Sequence, residues 1–282
     1  MSSALHLSLR TYQRQLEPGV KCVEANFHYE EWLVAIPVAE AALVLVDVWD
    51  THYIKSHAKR NAEITRTKIA PAVEAARRAG MAVIHAPSPE QAKRYPQWTR
   101  YASEEDKASG TGRSVPFIEP GEWPPVAFRR GEGEYAPFKR PRSPLMKRVN
   151  EERRERKIDP SVEPAAEDFV VATGDQLHRL CADRGLLHLF YAGFAANVCI
   201  PFKDYAIRAF RARGYNTILL RDCTTAIEGH DTIADFTGTR QAIRELEMAD
   251  LAATIASEAF VAACEAAFVE TSPRRAVNDP AT

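Results

Sequence analysis

Residues 187–199, with the sequence LHLFYAGFAANVC, decide the fold of this chain. The apolar run 187–192 is typical of a buried strand in a parallel sheet, and the small residues after it predict a tight turn. Apolar residues then recur at three- and four-residue spacing, which predicts a helix over about 201–213, closed by Gly214. A strand, a turn and a helix place Cys199 at a helix N-terminus above the carboxyl edge of a sheet, where α/β proteins bind ligands.

The predicted position of Cys199 has a chemical consequence. The N–H groups at a helix N-terminus and the positive end of the helix dipole stabilise a thiolate, so we expect a depressed pKa and a nucleophilic thiol. The same N–H groups can hold the oxyanion of an acyl-transfer intermediate. The alternative is that Cys199 is a small buried apolar residue, as unpaired cysteines often are.

Composition narrows the class of protein. Of the 282 residues, 45% are apolar and 27% charged, which is ordinary for a soluble globular chain. The net charge of -1 gives no reason to expect nucleic acid or an anionic membrane as a partner. Five dispersed cysteines and a polar start unlike a secretory leader predict a cytoplasmic protein. No apolar run approaches the ~20 residues that span a bilayer, so we expect a soluble intracellular protein with no membrane partner.

A second apolar strand ends in a carboxylate. The unbroken run 41–46 is predicted to be a central parallel strand, and Asp47 follows it directly. A periodic helix over 64–79 and a strand over 81–85 complete a βαβ unit. We therefore expect Asp47 on the same sheet edge as Cys199, although turn and cap roles are also common for an aspartate after a strand.

Residues 87–167 interrupt this alternation of strands and helices. They hold twelve of the eighteen prolines and show no sustained apolar period. Within them, residues 129–157 carry eleven basic and five acidic side chains. A solvent-exposed helix over about 146–157 explains these alternating charges. The alternative is a lid or an oligomer arm that supplies a cation to the site.

The alternation resumes after this insertion. The predicted elements are strands over 169–172, 215–220 and 252–255, the last at a sheet edge, and helices over 175–183, 238–247 and 257–268. Together the elements predict a three-layer, doubly wound α/β fold with Rossmann-like topology and about six mainly parallel strands. We divide the chain into an N-terminal extension (1–38), a single domain (39–270) and a flexible tail (271–282).

The ordered set of motifs resembles the isochorismatase-like cysteine hydrolases, a superfamily that includes nicotinamidases and other small-amide hydrolases. The motifs are Val46-Asp47, the segment 193–199, the helix that starts with 203–206, Gly214-Tyr215 and Arg221-Asp222. The resemblance covers most of residues 41–256, and the strings 46–52 and 84–88 are similar to a separate branch of the superfamily.

The resemblance implies a homo-oligomeric enzyme that hydrolyses a small-molecule substrate through an acyl-enzyme intermediate. Cys199 would attack a carbonyl, and Asp47 would take the thiol proton and pass it to the leaving amine. Water would then release the acyl group. The N–H groups of Ala195 and Cys199 would hold the oxyanion, and Phe194–Ala195 would be a cis peptide.

One residue of the superfamily's catalytic set is missing. Its catalytic lysine follows the strand that is here 169–172, and this chain has Thr173 in that place. Either a basic residue of the insertion replaces it, or the chemistry is altered, or the protein only binds a ligand. The candidate replacements for this lysine within the insertion are Lys139, Arg140, Arg142 and Lys147. The superfamily's threonine three residues before the cysteine is also replaced, by Ala196.

The remaining candidate residues concern the pocket and a metal. By position, Trp49, His52, His85 and Phe194 are expected to line the substrate pocket, although Trp49 and His52 also fit plain packing and surface roles. A metal-assisted hydrolase using Asp50, His52 and His85 is a third hypothesis. His52 and His57 are five residues apart, which does not place two imidazoles on one helical face, so we expect no metal and no cofactor.

Overall fold

The computed structural model describes residues 3–14, 17–108, 123–141 and 144–271. Its sheet has the strand order β2-β1-β8-β7-β6-β3-β4-β5. The strands are β1 (Ala4–Gln13), β2 (His28–Pro37), β3 (Ala41–Val46), β4 (Ala82–Ala86), β5 (Phe169–Val170), β6 (His188–Gly193), β7 (Asn216–Leu220) and β8 (Ala253–Ile255).

Helices connect these strands and cover the sheet. They are α1 (Lys55–Ile64), α2 (Ala70–Arg78), α3 (Pro89–Ala92), α4 (Glu104–Ala108), α5 (Val126–Arg130), α6 (Met146–Glu155), α7 (Gly174–Arg184), α8 (Cys199–Phe202), α9 (Ile207–Ala212), α10 (Thr237–Met248) and α11 (Ser257–Thr271). In the described part of the chain, no helix is both long and apolar enough to cross a membrane. The predicted tail 271–282 lies outside the described residues except for Thr271.

The α/β fold with a mostly parallel sheet is confirmed, but the sheet has eight strands rather than about six. Strands β3 to β8 pair in parallel, and the additional two form an antiparallel hairpin. The hairpin comes from the N-terminal segment, where the alternating Leu5, Leu7 and Leu9 are buried in the core. Because β1 pairs with β8 through Arg10 and Thr254, β8 is an interior strand and the prediction of an edge strand was wrong.

The core lies on both faces of the sheet, as the alternation of side chains along β3 requires. Leu43 and Leu45 pack on one face with the α2 and α11 side chains, including Ala72 and Phe260. The neighbouring residues Ala42, Val44 and Val46 pack on the other face with side chains of α7 and α9. An apolar run with no polar face is what a strand covered on both sides needs.

Two helices differ from their predicted form. The predicted helix 64–79 begins earlier, at Lys55, and contains a π-helical segment, Thr65–Ile69. The predicted helix 201–213 is broken into α8 and α9, since residues 203–206 leave the helical path. The break is held by tertiary contacts: Asp204 Oδ2 accepts the Gly174 N–H at 2.9 Å, and the Tyr191 hydroxyl donates to the Tyr205 carbonyl at 3.2 Å.

The C-terminal end of the insertion returns to the end of β3. Asp50 N–H donates to the Lys157 carbonyl at 3.1 Å, and Asp50 Oδ1 accepts the Lys157 N–H at 3.0 Å. Asp159 N–H donates to the Val48 carbonyl at 3.0 Å. The helix predicted over 146–157 is α6, and these bonds hold the chain directly after it against the sheet edge.

Candidate active site

Neighbouring parallel strands bring Asp47 and Cys199 together. Val46 at the end of β3 is paired with Gly193 at the end of β6, so the two following loops leave the sheet at one edge. Asp47 is 3% exposed and has a positive φ of 49°, which turns its side chain out of the strand path. Asp47 and Cys199 line one cavity of about 890 Å³.

The cavity also holds a lysine that sequence reasoning did not place there. The ammonium Nζ of Lys203 lies 3.8 Å from Asp47 Oδ2 and donates a hydrogen bond to Ser88 Oγ at 3.0 Å. Ser88 Oγ and the Tyr205 hydroxyl each lie 3.5 Å from Asp47 Oδ1. Lys203 directly follows the four-residue helix that Cys199 begins, and this closeness in the sequence was the available signal.

Charge around the thiol differs from the sequence-based expectation. Burial, and after it the Asp47 carboxylate, raises the pKa of the Cys199 thiol, whereas Lys203 and a hydrogen bond to Ala195 lower it. The net pKa is raised, so the predicted depression of the pKa was wrong. Burial lowers the pKa of Lys203, but Asp47 and Cys199 outweigh it and raise that pKa. Cys199 therefore rests as a thiol and Lys203 as an ammonium group.

The turn before Cys199 contains the predicted cis peptide, Phe194–Ala195. The Ala195 backbone is hydrogen-bonded to the Cys199 thiol. The N–H of Cys199 begins α8, which is a single turn of four residues rather than the long helix that the sequence predicted. A short helix has a weak dipole, which agrees with the raised pKa of Cys199.

The predicted pocket residues separate into two groups. Trp49, His52 and Phe194 line the cavity with Cys199. His85 does not: it is 1% exposed, and its Nε2 lies 3.1 Å from Asp168 Oδ2, which also pairs with Arg77 of α2. The placement of His85 in the pocket was wrong because this buried contact with Asp168 and Arg77 holds its side chain away from the cavity.

The three proposed metal ligands do not converge. Asp50 accepts a backbone N–H of Lys157, His85 contacts Asp168, and His52 faces the cavity. No group of three or more His, Cys, Asp or Glu side chains in the described ranges has metal-binding geometry. The His52 and His57 rings do meet, with centroids 5.0 Å apart, because His52 lies in the loop before α1 and not on the helix.

These two histidines make the fold sensitive to acid. Burial, assisted by the charge of Arg156, lowers the pKa of His52 from the ordinary 6.5 to about 3. Burial, assisted by the charge of Arg60, lowers the pKa of His57 from 6.5 to about 4. The unfolded chain thus binds more protons below pH 6.5, so stability is full above that pH and is lost as the pH falls toward the folded pKa values.

Between pH 7 and pH 5, we expect the free energy of unfolding to fall by about 1–2 kcal/mol less in His57→Gln than in the wild type. Urea unfolding of both proteins at the two pH values measures it. The control is His230→Gln, since the His230 side chain is 100% exposed. Equal pH dependence in wild type and His57→Gln would show that His57 does not titrate as described.

The insertion does place cations at the cavity, but they are not Lys139, Arg140 or Lys147. Arg153 on α6 and Arg156 directly after it line the cavity. Lys139 and Arg140 line a separate surface depression, Lys147 does not line the cavity, and Arg142 lies outside the described residues. Sequence composition indicated a basic segment but not which residue faces inward, because that depends on the bonds between residues 157–159 and the end of β3.

Thr173, at the position of the superfamily's lysine, has a structural role. Its hydroxyl caps α7 by accepting the Gln176 N–H at 3.2 Å, and the residue is 4% exposed. The next residue, Gly174, packs so closely on the 203–206 segment that a Cβ there would lie 2.2 Å from the Asp204 carbonyl oxygen. The start of α7 therefore contacts the same segment that carries Lys203.

Comparison with known proteins agrees with this architecture. The chain belongs to the isochorismatase family, since the family model described as the isochorismatase domain matches residues 41–255. Members of this family include cysteine hydrolases and amidases that act on amides and other C–N bonds. Among curated proteins, none matches the chain significantly.

Several solved structures are similar to the chain in fold. A cysteine hydrolase from Pseudomonas syringae pv. phaseolicola 1448A is 17% identical with a TM-score of 0.51, covering 82% of this chain and 95% of that one. N-carbamoylsarcosine amidase from Thermoplasma acidophilum is 15% identical with a TM-score of 0.41, covering 78% and 97%. The pyrazinamidase/nicotinamidase of Streptococcus mutans UA159 is 15% identical with a TM-score of 0.40, covering 76% and 99%.

Proposed function

We propose that this protein is a cysteine hydrolase that cleaves a small amide, or a related C–N bond, through an acyl-enzyme intermediate. The observation that carries the proposal is the meeting of Cys199, Asp47 and Lys203 in one cavity, with 3.8 Å between Lys203 Nζ and Asp47 Oδ2. Lys203 supplies the positive charge that the superfamily's lysine supplies from another loop.

The reaction follows from the charges at rest. Cys199 is protonated, and Asp47 takes its proton as Sγ attacks the carbonyl carbon. The backbone N–H groups of Ala195 and Cys199 stabilise the oxyanion. As the C–N bond breaks, Asp47 returns the proton to the leaving nitrogen. Asp47 then deprotonates a water molecule, the hydroxide attacks the thioester carbonyl, and Asp47 gives that proton to the departing Cys199 sulfur, which restores the thiol. Lys203 keeps Asp47 and the developing thiolate from repelling each other.

The assembly and location of the enzyme are part of the same proposal. We assign the chemistry to residues 39–270 and regard 1–38 as an extension of that domain. We expect a homo-oligomer in the cytoplasm that acts on a small molecule and uses no cofactor. The sequence-based alternative, a ligand-binding protein with an inactive cysteine, depended on a missing lysine, and Lys203 provides a lysine at the site.

The test is ammonia release from a panel of small amides, with mass spectrometry of acid-quenched protein. Wild type is expected to release ammonia and to carry the acyl mass on the peptide that contains Cys199, and Cys199→Ala to lose both, by about 10³-fold or more in rate. Cys22→Ala is the control, because Cys22 is exposed and does not line the cavity. Turnover that survives in Cys199→Ala would contradict the nucleophile assignment.

A further inference from the structure

Arg156 is a buried cation whose donors are unmatched. The residue is 7% exposed and lines the cavity of Cys199. Its Nε and Nη2 atoms have no hydrogen-bond partner among the residues that the structure describes. Buried N–H donors without partners are unfavourable, so two such donors on a residue that lines a cavity indicate a ligand that pairs with them.

The position of Arg156 is fixed by its backbone. Its carbonyl accepts a hydrogen bond from Arg94 Nη1 at 3.0 Å, and the following residue is bonded in both directions to Asp50. The Arg153 carbonyl accepts from Gln91 Nε2 at 2.7 Å. The two arginines therefore belong to a segment that is held on the sheet edge, and their side chains are presented to the cavity in a defined place.

The charge of the cavity wall is positive at this end. Asp47 is paired with Lys203, and Glu152, whose charge also reaches Arg156, forms an ion pair with Lys55 at 3.3 Å. Glu90 lines the cavity but is exposed to solvent. Burial, followed by the neighbouring Arg153, lowers the pKa of Arg156, which an incoming anion would reverse.

The two histidines that line the cavity do not add to this positive charge. With pKa values of about 3 and 4, His52 and His57 are uncharged at pH 7. The cations available to a ligand at this end are thus Arg153 and Arg156. A planar guanidinium group matches the two oxygens of a carboxylate, and the buried, unpaired Nε and Nη2 atoms of Arg156 are the donors that such a carboxylate would pair with.

We propose that the substrate is a small amide that carries a carboxylate, and that Arg156, assisted by Arg153, binds this carboxylate while the amide carbonyl lies at Cys199. The inference rests on the proposed function for the reacting end of the substrate. Recognition of the anion is a separate property of the cavity and has its own measurement. The ion pair positions the carbonyl, so it contributes to substrate affinity and not to the proton transfers.

Calorimetry on the Cys199→Ala protein, which cannot form the acyl-enzyme, measures binding without turnover. The probes are succinamate, glutaramate and adipamate, each paired with its uncharged diamide of the same shape. We expect at least one half-amide to bind about tenfold or more tighter than its diamide. Adding Arg156→Gln should remove this preference by weakening the half-amide alone. Arg154→Gln is the matched control, since Arg154 is an exposed arginine two residues earlier in the chain that does not line the cavity.

The outcomes separate the two proposals. Two results with the Cys199→Ala protein alone overturn the carboxylate assignment. One is equal affinity for the half-amides and the diamides, and the other is no binding of any half-amide at millimolar concentration. Selective half-amide binding that Arg156→Gln leaves intact also overturns it. Selective, Arg156-dependent binding without ammonia release by the wild type would instead refute the hydrolase and retain the anion site. Should Arg156→Gln fail to fold, Arg153→Gln is expected to reduce the preference in the same direction.

Discussion

Replacing Lys203 by methionine is expected to lower kcat/KM for amide hydrolysis by about 10²–10³-fold. The ammonium group lies 3.8 Å from Asp47 and lowers the pKa of Cys199, so its loss leaves a buried carboxylate beside a developing thiolate with no counter-charge. Steady-state kinetics of ammonia release measure the effect. The control is Lys59→Met, which removes a lysine charge from an exposed position of α1 outside the cavity.

A pH profile distinguishes this role from a merely structural one. Since Lys203 lowers the pKa of Cys199 and Asp47 raises it, Lys203→Met should move the alkylation profile of Cys199 to higher pH and Asp47→Asn to lower pH. Iodoacetamide rates, mapped to each cysteine by mass spectrometry, give both profiles. If Lys203→Met leaves both kcat/KM and the profile unchanged, Lys203 is not part of the site.

The location of the site could be predicted from the sequence because it depends on strands. The unbroken apolar run 41–46 is followed directly by Asp47, and the mainly apolar run 187–192 is followed by a short turn that leads to Cys199. Parallel strands bring their carboxyl ends to one edge of the sheet. That argument needs no side-chain detail. It places Asp47 and Cys199 in one cavity, as the structure has them.

The rest of the site depends on contacts between distant segments. The helix is broken at 203–206, where Asp204 and Tyr205 bond to α7 and β6, and this break sets the path of the chain at Lys203. The apolar period over 201–213 predicts a continuous helix and gives no sign of the break. Arg156 reaches the cavity because residues 157–159 bond to the loop after β3. A sequence with no periodic signal over 87–167 cannot indicate that pairing.

Gly193→Ala is expected to have the largest effect on stability, about 4 kcal/mol or more, and to give largely insoluble protein. Gly193 has a φ of +120°, and a Cβ at this position would lie 2.0 Å from the Val46 carbonyl oxygen. That oxygen accepts the Phe194 N–H at 2.9 Å, so it cannot move away without loss of the hydrogen bond at the start of the turn between β6 and Cys199. Soluble yield and urea unfolding midpoints measure the effect.

Gly185→Ala separates the two causes of this loss. Gly185 ends α7 with a φ of +67°, and a Cβ there would meet no atom within 4 Å, so alanine adds only left-handed strain of about 1 kcal/mol. The excess loss in Gly193→Ala then measures how closely β6 approaches β3. Equal midpoints for the two variants would mean that the strands can separate at this point. In that case the contact between Val46 and Gly193 would not fix the distance between Asp47 and Cys199.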